Sequence, residues 1–265
     1  MSGFSAEWLA LREPADVAAR SAAVTTAVLS SLAGRSPLRV VDLGCGTGSN
    51  VRFLSSHLAT RPEWRLVDHD EALLSVARAA FGRDIETRVA DLRVLDPSLV
   101  EARDLVTASA LLDLVSESWL ELFVAACRRA GAAVLVALNY DGRMECQPHD
   151  EDDEFVRALV NRHQRTDKGF GPALGPDSGG RAADLLRAAG YDVVSATSDW
   201  VMDGTQAQLQ RELVAGWAGA AIELAPAEAS RIHRWQERRV AHIAAGVSRI
   251  IVGHTDVGAT LQTNP

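Results

Sequence analysis

Residues 40–50 read Val-Val-Asp-Leu-Gly-Cys-Gly-Thr-Gly-Ser-Asn, an apolar run that meets an acid and then breaks into three alternating glycines. The apolar part, from Leu38 to Val41, suits a strand buried on both faces of a parallel sheet. Gly44, Gly46 and Gly48 let the backbone turn sharply and approach a ligand with no Cβ in the way. From Asn50 onward, Val51, Phe53, Leu54 and Leu58 have helical spacing. A strand, a glycine turn and a helix N-terminus together predict a nucleotide-sized site at the carboxyl end of a sheet strand.

The spacing narrows the ligand. A dinucleotide fingerprint, Gly-x-Gly-x-x-Gly, needs glycine at position 49, which is Ser49, and a phosphate loop needs a lysine that residues 40–50 lack. A turn carrying Asp42 and no base suits a ligand without phosphates. Two further strand patterns end in acids. Trp64–Asp68 places a carboxylate twenty residues after Gly48, where a ribose-binding acid is expected, and Thr87–Leu92 carries Asp91. A carboxylate at 68 can accept from both ribose hydroxyls, and such donors offset the cost of burying it. Taken singly, each acid also reads as a helix cap or turn residue.

Asp42-x-Gly44-x-Gly46-x-Gly48, with Asp68 and Asp91 behind it, resembles the class I S-adenosylmethionine (SAM) dependent methyltransferase superfamily over about residues 38–140. The resemblance implies an α/β fold: a Rossmann-like seven-stranded sheet in the order 3-2-1-4-5-7-6, strand 7 antiparallel, with helices on both faces. It implies SAM as cofactor, S-adenosylhomocysteine as product, and methyl transfer to an O, N or C nucleophile of a small-molecule acceptor. Asp42, Gly44, Cys45, Gly46, Asn50, Asp68 and His69 become cofactor-binding positions. Asp91 and the backbone of Leu92 fall at the adenine, and Ser109 at the methionine part. Arg12, with Arg20 as second candidate, would meet the SAM carboxylate through charge-assisted bonds; a surface salt bridge is the alternative for each. Two other readings keep SAM: a different chemistry such as cyclisation or aminopropyl transfer, and a non-catalytic SAM-binding partner subunit.

Three residues are candidates for acting on the acceptor. Asp113 stands where relatives put a polar residue facing the acceptor, with helix capping as the alternative. Tyr140, in a loop expected after a strand over 132–138, could bond or stack on an acceptor or simply pack at a rim. His163 continues the apolar face of Phe155, Val156, Leu159 and Val160, and serves either the substrate or the core. Residues 170–176, glycines and prolines around Phe170, read as an ordered lid loop.

The remaining pattern alternates strands and helices, which predicts an open sheet covered on both faces. Helices are expected over 15–33, 50–59, 71–81, 117–130 and 180–189, and strands over 104–109, 191–201 and 249–253. The expected organisation is a single domain over 1–265: an N-terminal helical segment (1–34), a SAM-binding core (38–140), a helix and lid loop (150–176) and a helical insertion (204–245). Thr205 and Gln208 look like a capping box opening the insertion, and Pro226 starts its second helix. Three roles are open to this pair: capping the site, forming a dimer surface, or extending the core. The basic cluster Arg231, Arg234, Arg238 and Arg239 and the acidic run 150–154 each read as a solvated face, the acidic run with a bound divalent cation as its alternative. No metal site is otherwise expected.

Composition sets the outer limits. A net charge of −8, from 35 acids and 27 bases, argues against a nucleic-acid substrate. No apolar run reaches the roughly 18 residues of a membrane span. Cys45, Cys127 and Cys146 have no paired spacing, so a reducing, cytoplasmic setting is expected, with a monomer or homodimer.

Overall fold

The apolar run that opens the glycine turn is a central strand: parallel neighbours pair both of its edges, and helices on the two sides of the sheet bury both of its faces. The computed structural model describes residues 4–58 and 61–261. In chain order these form α1 (Ala6–Ala19), α2 (Ala22–Ser31), β1 (Arg39–Leu43), α3 (Ser49–Ser55), β2 (Glu63–Asp68), α4 (Glu71–Phe81), β3 (Ile85–Val89), β4 (Leu105–Ser109) and α5 (Glu117–Ala130). There follow β5 (Ala133–Gln147), α6 (Asp153–Gln164), α7 (Ser178–Ala188), β6 (Tyr191–Thr197), β7 (Trp200–Met202), α8 (Ala207–Leu224), α9 (Ala229–Ala244) and β8 (Arg249–Leu261). The sheet runs β3-β2-β1-β4-β5-β8-β6, parallel from β3 to β5, with β8 antiparallel to β5 and β6. The expected order is present with one strand more: β7 pairs the start of β8.

The extra strand arises because the expected strand 191–201 breaks at Ser198 and Asp199. Ser198 N donates to His254 O at 2.9 Å, while Asp199 turns aside to take the Arg143 guanidinium through both oxygens. A second correction concerns β5, which does not end at 138. Residues 139–147 continue it as a bent strand against β8, with register shifts after Val136 and after Tyr140. Asn139-Tyr140-Asp141 is therefore strand and not a strand-end loop. Its polar side chains read as loop because their partners are remote: Asn139 Nδ2 donates to Thr255 O at 2.8 Å. The last strand likewise runs from 249 to 261, well past the expected 253.

The expected leading helix over 15–33 is two helices broken at Arg20 and Ser21. Ser21 caps α2 through its hydroxyl, and its N–H donates to Asp256 of β8 at 2.9 Å. The helix expected over 50–59 runs from Ser49 to Ser55; residue 59 lies outside the described residues, as do the ends of the 1–265 span, 1–3 and 262–265. The third acid-ended strand stops at Val89, so Asp91 lies in the turn beyond it. The capping box of the insertion is formed by Asp203 and Gln206, at a short 3₁₀ turn before α8, and not by Thr205 and Gln208.

The insertion extends the core. Leu209, Val214 and Trp217 of α8 and Ile232, Trp235 and Ile243 of α9 pack with α6 and with the prolonged parts of β5 and β8. The two charge runs are solvated only in part: Arg234, Glu151 and Glu154 are exposed, while the other arginines of one run pair with the aspartates of the other. Arg231 Nε donates to Asp152 at 2.6 Å, and Arg238 donates to both Asp150 and Asp152. The fully buried Arg239 donates to Asp153 at 2.9 Å and to Pro148 O at 2.6 Å, and Trp235 Nε1 adds a bond to Asp153. Some eighty residues separate the two runs, so neither announces its partner locally. Among the described residues, no helix is long and apolar enough to cross a membrane.

Removing one partner of a buried pair strands the other charge, which typically costs about 3–5 kcal/mol. Arg239→Leu is accordingly expected to lower the unfolding free energy by that amount in urea titrations. Arg234→Leu, on the exposed side of the same helix, should change it by less than about 0.5 kcal/mol.

Candidate active site

The carboxyl ends of β1, β2 and β4 open into a cleft of about 400 Å³, within the roughly 300–1,000 Å³ usual for small-molecule sites. Its floor is the glycine turn. Gly44 N and Cys45 N both donate to Val67 O, at 2.9 and 3.1 Å, which bends the chain across the end of β2. Gly46 and Gly48 take φ of +52° and +84°. A Cβ on Gly46 would lie 2.8 Å from Leu9 Cδ1, and one on Gly48 2.6 Å from the Phe81 ring, so those side-chain tips would have to shift to admit it. The positive φ is what favours glycine at both positions.

Asp68 ends β2 and is buried against this turn. Gly46 N donates to its Oδ2 at 2.8 Å, Asp70 N to its Oδ1 at 3.0 Å, and the exposed His69 places Nδ1 3.2 Å from Oδ1. Backbone donors thus fix the carboxylate in the cleft wall with lone pairs to spare. Asp42, one strand away, has a different environment. Its Oδ1 accepts from Asn50 Nδ2 at 2.9 Å, but its buried Oδ2 has no partner. Burial pushes its pKa up to about 7 against the opposing influence of Asn50 and Arg20. Asn50 also donates to Thr107 Oγ1 at 2.8 Å and accepts from Arg20 Nη1 at 2.9 Å. Cys45 lines the cleft as a buried thiol whose pKa burial raises.

The two arginines part company. Arg12 lines the cleft, holding Asp16 through Nε and Nη2 at 2.9 and 3.1 Å with its guanidinium 5.0 Å over the Trp200 ring. Nη1 makes no hydrogen bond among the described residues. Arg20 is buried behind the turn, on Asn50, over Phe53 at 4.4 Å and 3.6 Å from Asp256. It is no surface salt bridge, and it does not line the cleft. On the other side, Asp91 sits exposed at the rim, forked by Arg93, whose guanidinium holds it down at about 2. Leu92 is buried beside it, and Ser109 lines the cleft at the end of β4.

The three acceptor-side candidates do not meet at this cleft. Asp113 is buried one turn beyond β4, with Oδ1 unpartnered and its pKa pushed up to about 6 by burial. Tyr140 donates its hydroxyl to Asn161 Oδ1 at 2.7 Å, and burial raises its pKa. His163 lies between Glu223 and Lys168. The residues that the 161–176 loop does bring to the cleft are Lys168 and Phe170. Phe170 is held edge-on against Trp119, ring centroids 5.9 Å apart. Sequence reasoning missed Lys168, Arg93 and Asp16. The last is four residues from Arg12, a helical pair spacing that could have found it.

Residues 40–132 match a family described as a methyltransferase domain. The trans-aconitate 2-methyltransferase of Mycolicibacterium gilvum (strain PYR-GCK) is 28% identical over 216 residues, spanning 80% of this chain and 79% of that protein. Among solved structures, the cyclopropane synthase MmaA2 from Mycobacterium tuberculosis has a TM-score of 0.54 at 11% identity, over 97% of this chain and 95% of that one. The YcgJ protein from Bacillus subtilis has a TM-score of 0.50 at 14% identity, over 92% and 100%. At such identities the structural likeness shows the fold alone. With the strand order, that likeness gives the chain the fold of the class I SAM-dependent methyltransferases, and residues 40–132 of it match a methyltransferase domain.

Proposed function

We propose that the cleft holds SAM with its adenosine on the β2 side, and that the enzyme transfers the methyl group to an O, N or C nucleophile of a small-molecule acceptor, releasing S-adenosylhomocysteine. The observation that carries this reading is Asp68, a buried carboxylate tied to Gly46 and still able to accept from two hydroxyls. The rest of the wall fits the other parts of the cofactor. Leu92 offers an apolar face for adenine, with Asp91 at its edge; Arg93 must share that carboxylate with the adenine amino group. The bare Oδ2 of Asp42 suits an ammonium donor, and Arg12 Nη1 suits a carboxylate. His69, Gly44, Cys45 and Ser109 complete the contact surface.

Bound there, the sulfonium supplies a methyl carbon that is already activated. The protein's task is then to align a nucleophile and exclude water, and orientation of this kind can supply roughly 7–11 kcal/mol in model systems. Asp113, buried just behind the cleft lining beyond Leu111, is the nearest candidate for taking a proton near neutral pH, within electrostatic reach of Arg12 and Lys168. Tyr140 and His163 act in support, one on Asn161 and the other on Lys168. The acidic balance supports a small molecule over a nucleic acid as acceptor. Three unbridged, buried cysteines support a reducing cytoplasm, and we infer a monomer or homodimer.

Calorimetry should show binding of SAM and of S-adenosylhomocysteine. Asp68→Ala should weaken it by about 10- to 100-fold, the loss expected for hydrogen bonds to a charged group. No binding to the wild type at millimolar ligand would sink the proposal, and release of methylthioadenosine would replace methyl transfer with another chemistry.

The Asp113 carboxyl also predicts a pH dependence. The folded chain keeps this proton up to about pH 6, whereas the unfolded chain releases it near 4. Between those limits the folded state binds more protons, so the stability this residue confers falls as pH rises. Urea unfolding of the wild type and Asp113→Asn should therefore show the difference moving in favour of the variant from pH 4 to 6 and levelling off above.

A further inference from the structure

Lys168 is the only lysine among the chain's 27 lysines and arginines, and it lines the cleft with Leu111, Leu114 and Phe170. Two of its three ammonium hydrogens have partners. Nζ donates to Thr166 Oγ1 at 3.1 Å and to His163 Nδ1 at 3.2 Å. Neither partner carries a negative charge, and among the described residues Lys168 enters no ion pair. His163 Nε2 lies 3.0 Å from Glu223 Oε2. An ammonium can only donate and a carboxylate can only accept, so one tautomer satisfies both contacts: Nε2–H donates to Glu223, and bare Nδ1 accepts from Lys168. Glu223 of the inserted α8 thus orients His163 of α6, and His163 orients the ammonium.

A half-buried cation held at an apolar wall with one donor to spare has no carboxylate within ion-pair distance among the described residues. Glu223 and Asp113 act on it only at longer range, and burial makes its charged form less favourable. The two arginines that line the cleft are already committed, Arg12 to Asp16 and Arg93 to Asp91. We propose that Lys168, positioned through Glu223 and His163, anchors the acceptor, and that the acceptor is a small carboxylic acid whose hydrocarbon part lies on Leu111, Leu114 and Phe170. One ammonium with one free donor matches a single negative charge, whereas a phosphate ordinarily recruits several backbone N–H groups or an arginine fork. The inference rests on the methyl-transfer reading above and names its substrate class.

The test is labelled-methyl transfer from SAM to a panel of small mono-, di- and tricarboxylic acids, trans-aconitate among them, with their primary amides and phosphate monoesters of matched size. The wild type should methylate acids and leave the amides untouched. Lys168→Met should raise KM for the best acid about tenfold or more with a smaller change in kcat, while the SAM Kd stays within about twofold. Lys168→Arg should recover part of the loss. Glu223→Gln should raise the same KM by a smaller factor, with kcat and SAM affinity kept. Because no other side chain bears a primary amine, acetylation of folded wild-type protein removes only this side-chain charge, with the terminal amine. It should abolish transfer to acids, while reductive methylation, which keeps the charge, should preserve it. This arm needs no variant to fold. The proposal is overturned if no acid is methylated, if amides or phosphate esters serve as well as acids, or if Lys168→Met leaves KM unchanged. Failure of the wild type to bind SAM would instead overturn the reading beneath it.

Discussion

One buried carboxamide holds the cofactor side of the cleft in register. Asn50 sits at the start of α3 and bonds in three directions, donating to Asp42 of β1 and Thr107 of β4 and accepting from Arg20 at the corner between α1 and α2. No other neutral side chain of that size offers both donors and an acceptor. Arg20 passes the connection on to Asp256 of β8, whose carboxylate also accepts from Ser21 N and from Leu138 N, where β5 bends. The glycine turn, the N-terminal arm and the bend in the sheet are therefore tied to one another. This is why Arg12, thirty residues before the turn, faces the cleft at all: Arg20 docks the end of its helix, and Asp16 and Trp200 hold its middle.

What was legible in the sequence is what is encoded locally. The bounds of α4 and α5 follow from their caps and periodicity, with Asp70 accepting from Ala72 N and Ser116 from Trp119 N. The glycine turn and its three acids were legible because spacing within one βα unit dictates geometry. Illegible were the contacts that join distant segments. Asp153 and Arg239 each sit in a run of like charge, and such a run looks solvated unless its complement is known. The tail of β5 looked like a loop because Asn139, Asp141 and Arg143 find their partners on β8, on the β6–β7 corner and within the bend itself.

Residue type was also a poor guide to electrostatic state. Asp42, Asp91 and Asp113 are the same side chain in or just beyond strands of one sheet, yet their proton affinities spread from about 2 to about 7. Asp91 is exposed and forked by Arg93, so its ionised form is favoured. Asp42 and Asp113 are enclosed with one oxygen bare each, so their neutral forms are favoured. Burial and one arginine two residues away decide between these outcomes, and only the second is visible in the chain.

The two halves of the cleft are consequently encoded in different ways. The cofactor half is built from successive βα units, the turns after β1, β2 and β3 and the end of β4, with Arg12 of α1 reaching in from ahead of them. On the proposed reading, the acceptor half comes from a loop after α6, and its cation is oriented by a carboxylate on the inserted α8. That helix stands on its own apolar core with α9 and the prolonged β5 and β8, and it is clamped there by the buried arginine–aspartate pairs between α9 and the start of α6. On that reading, substitutions at Glu223, His163 or the 166–170 loop would change which acceptor the cleft takes without touching Asn50 or Asp68, so that a fold arranged this way exchanges acceptors while its cofactor geometry stays fixed.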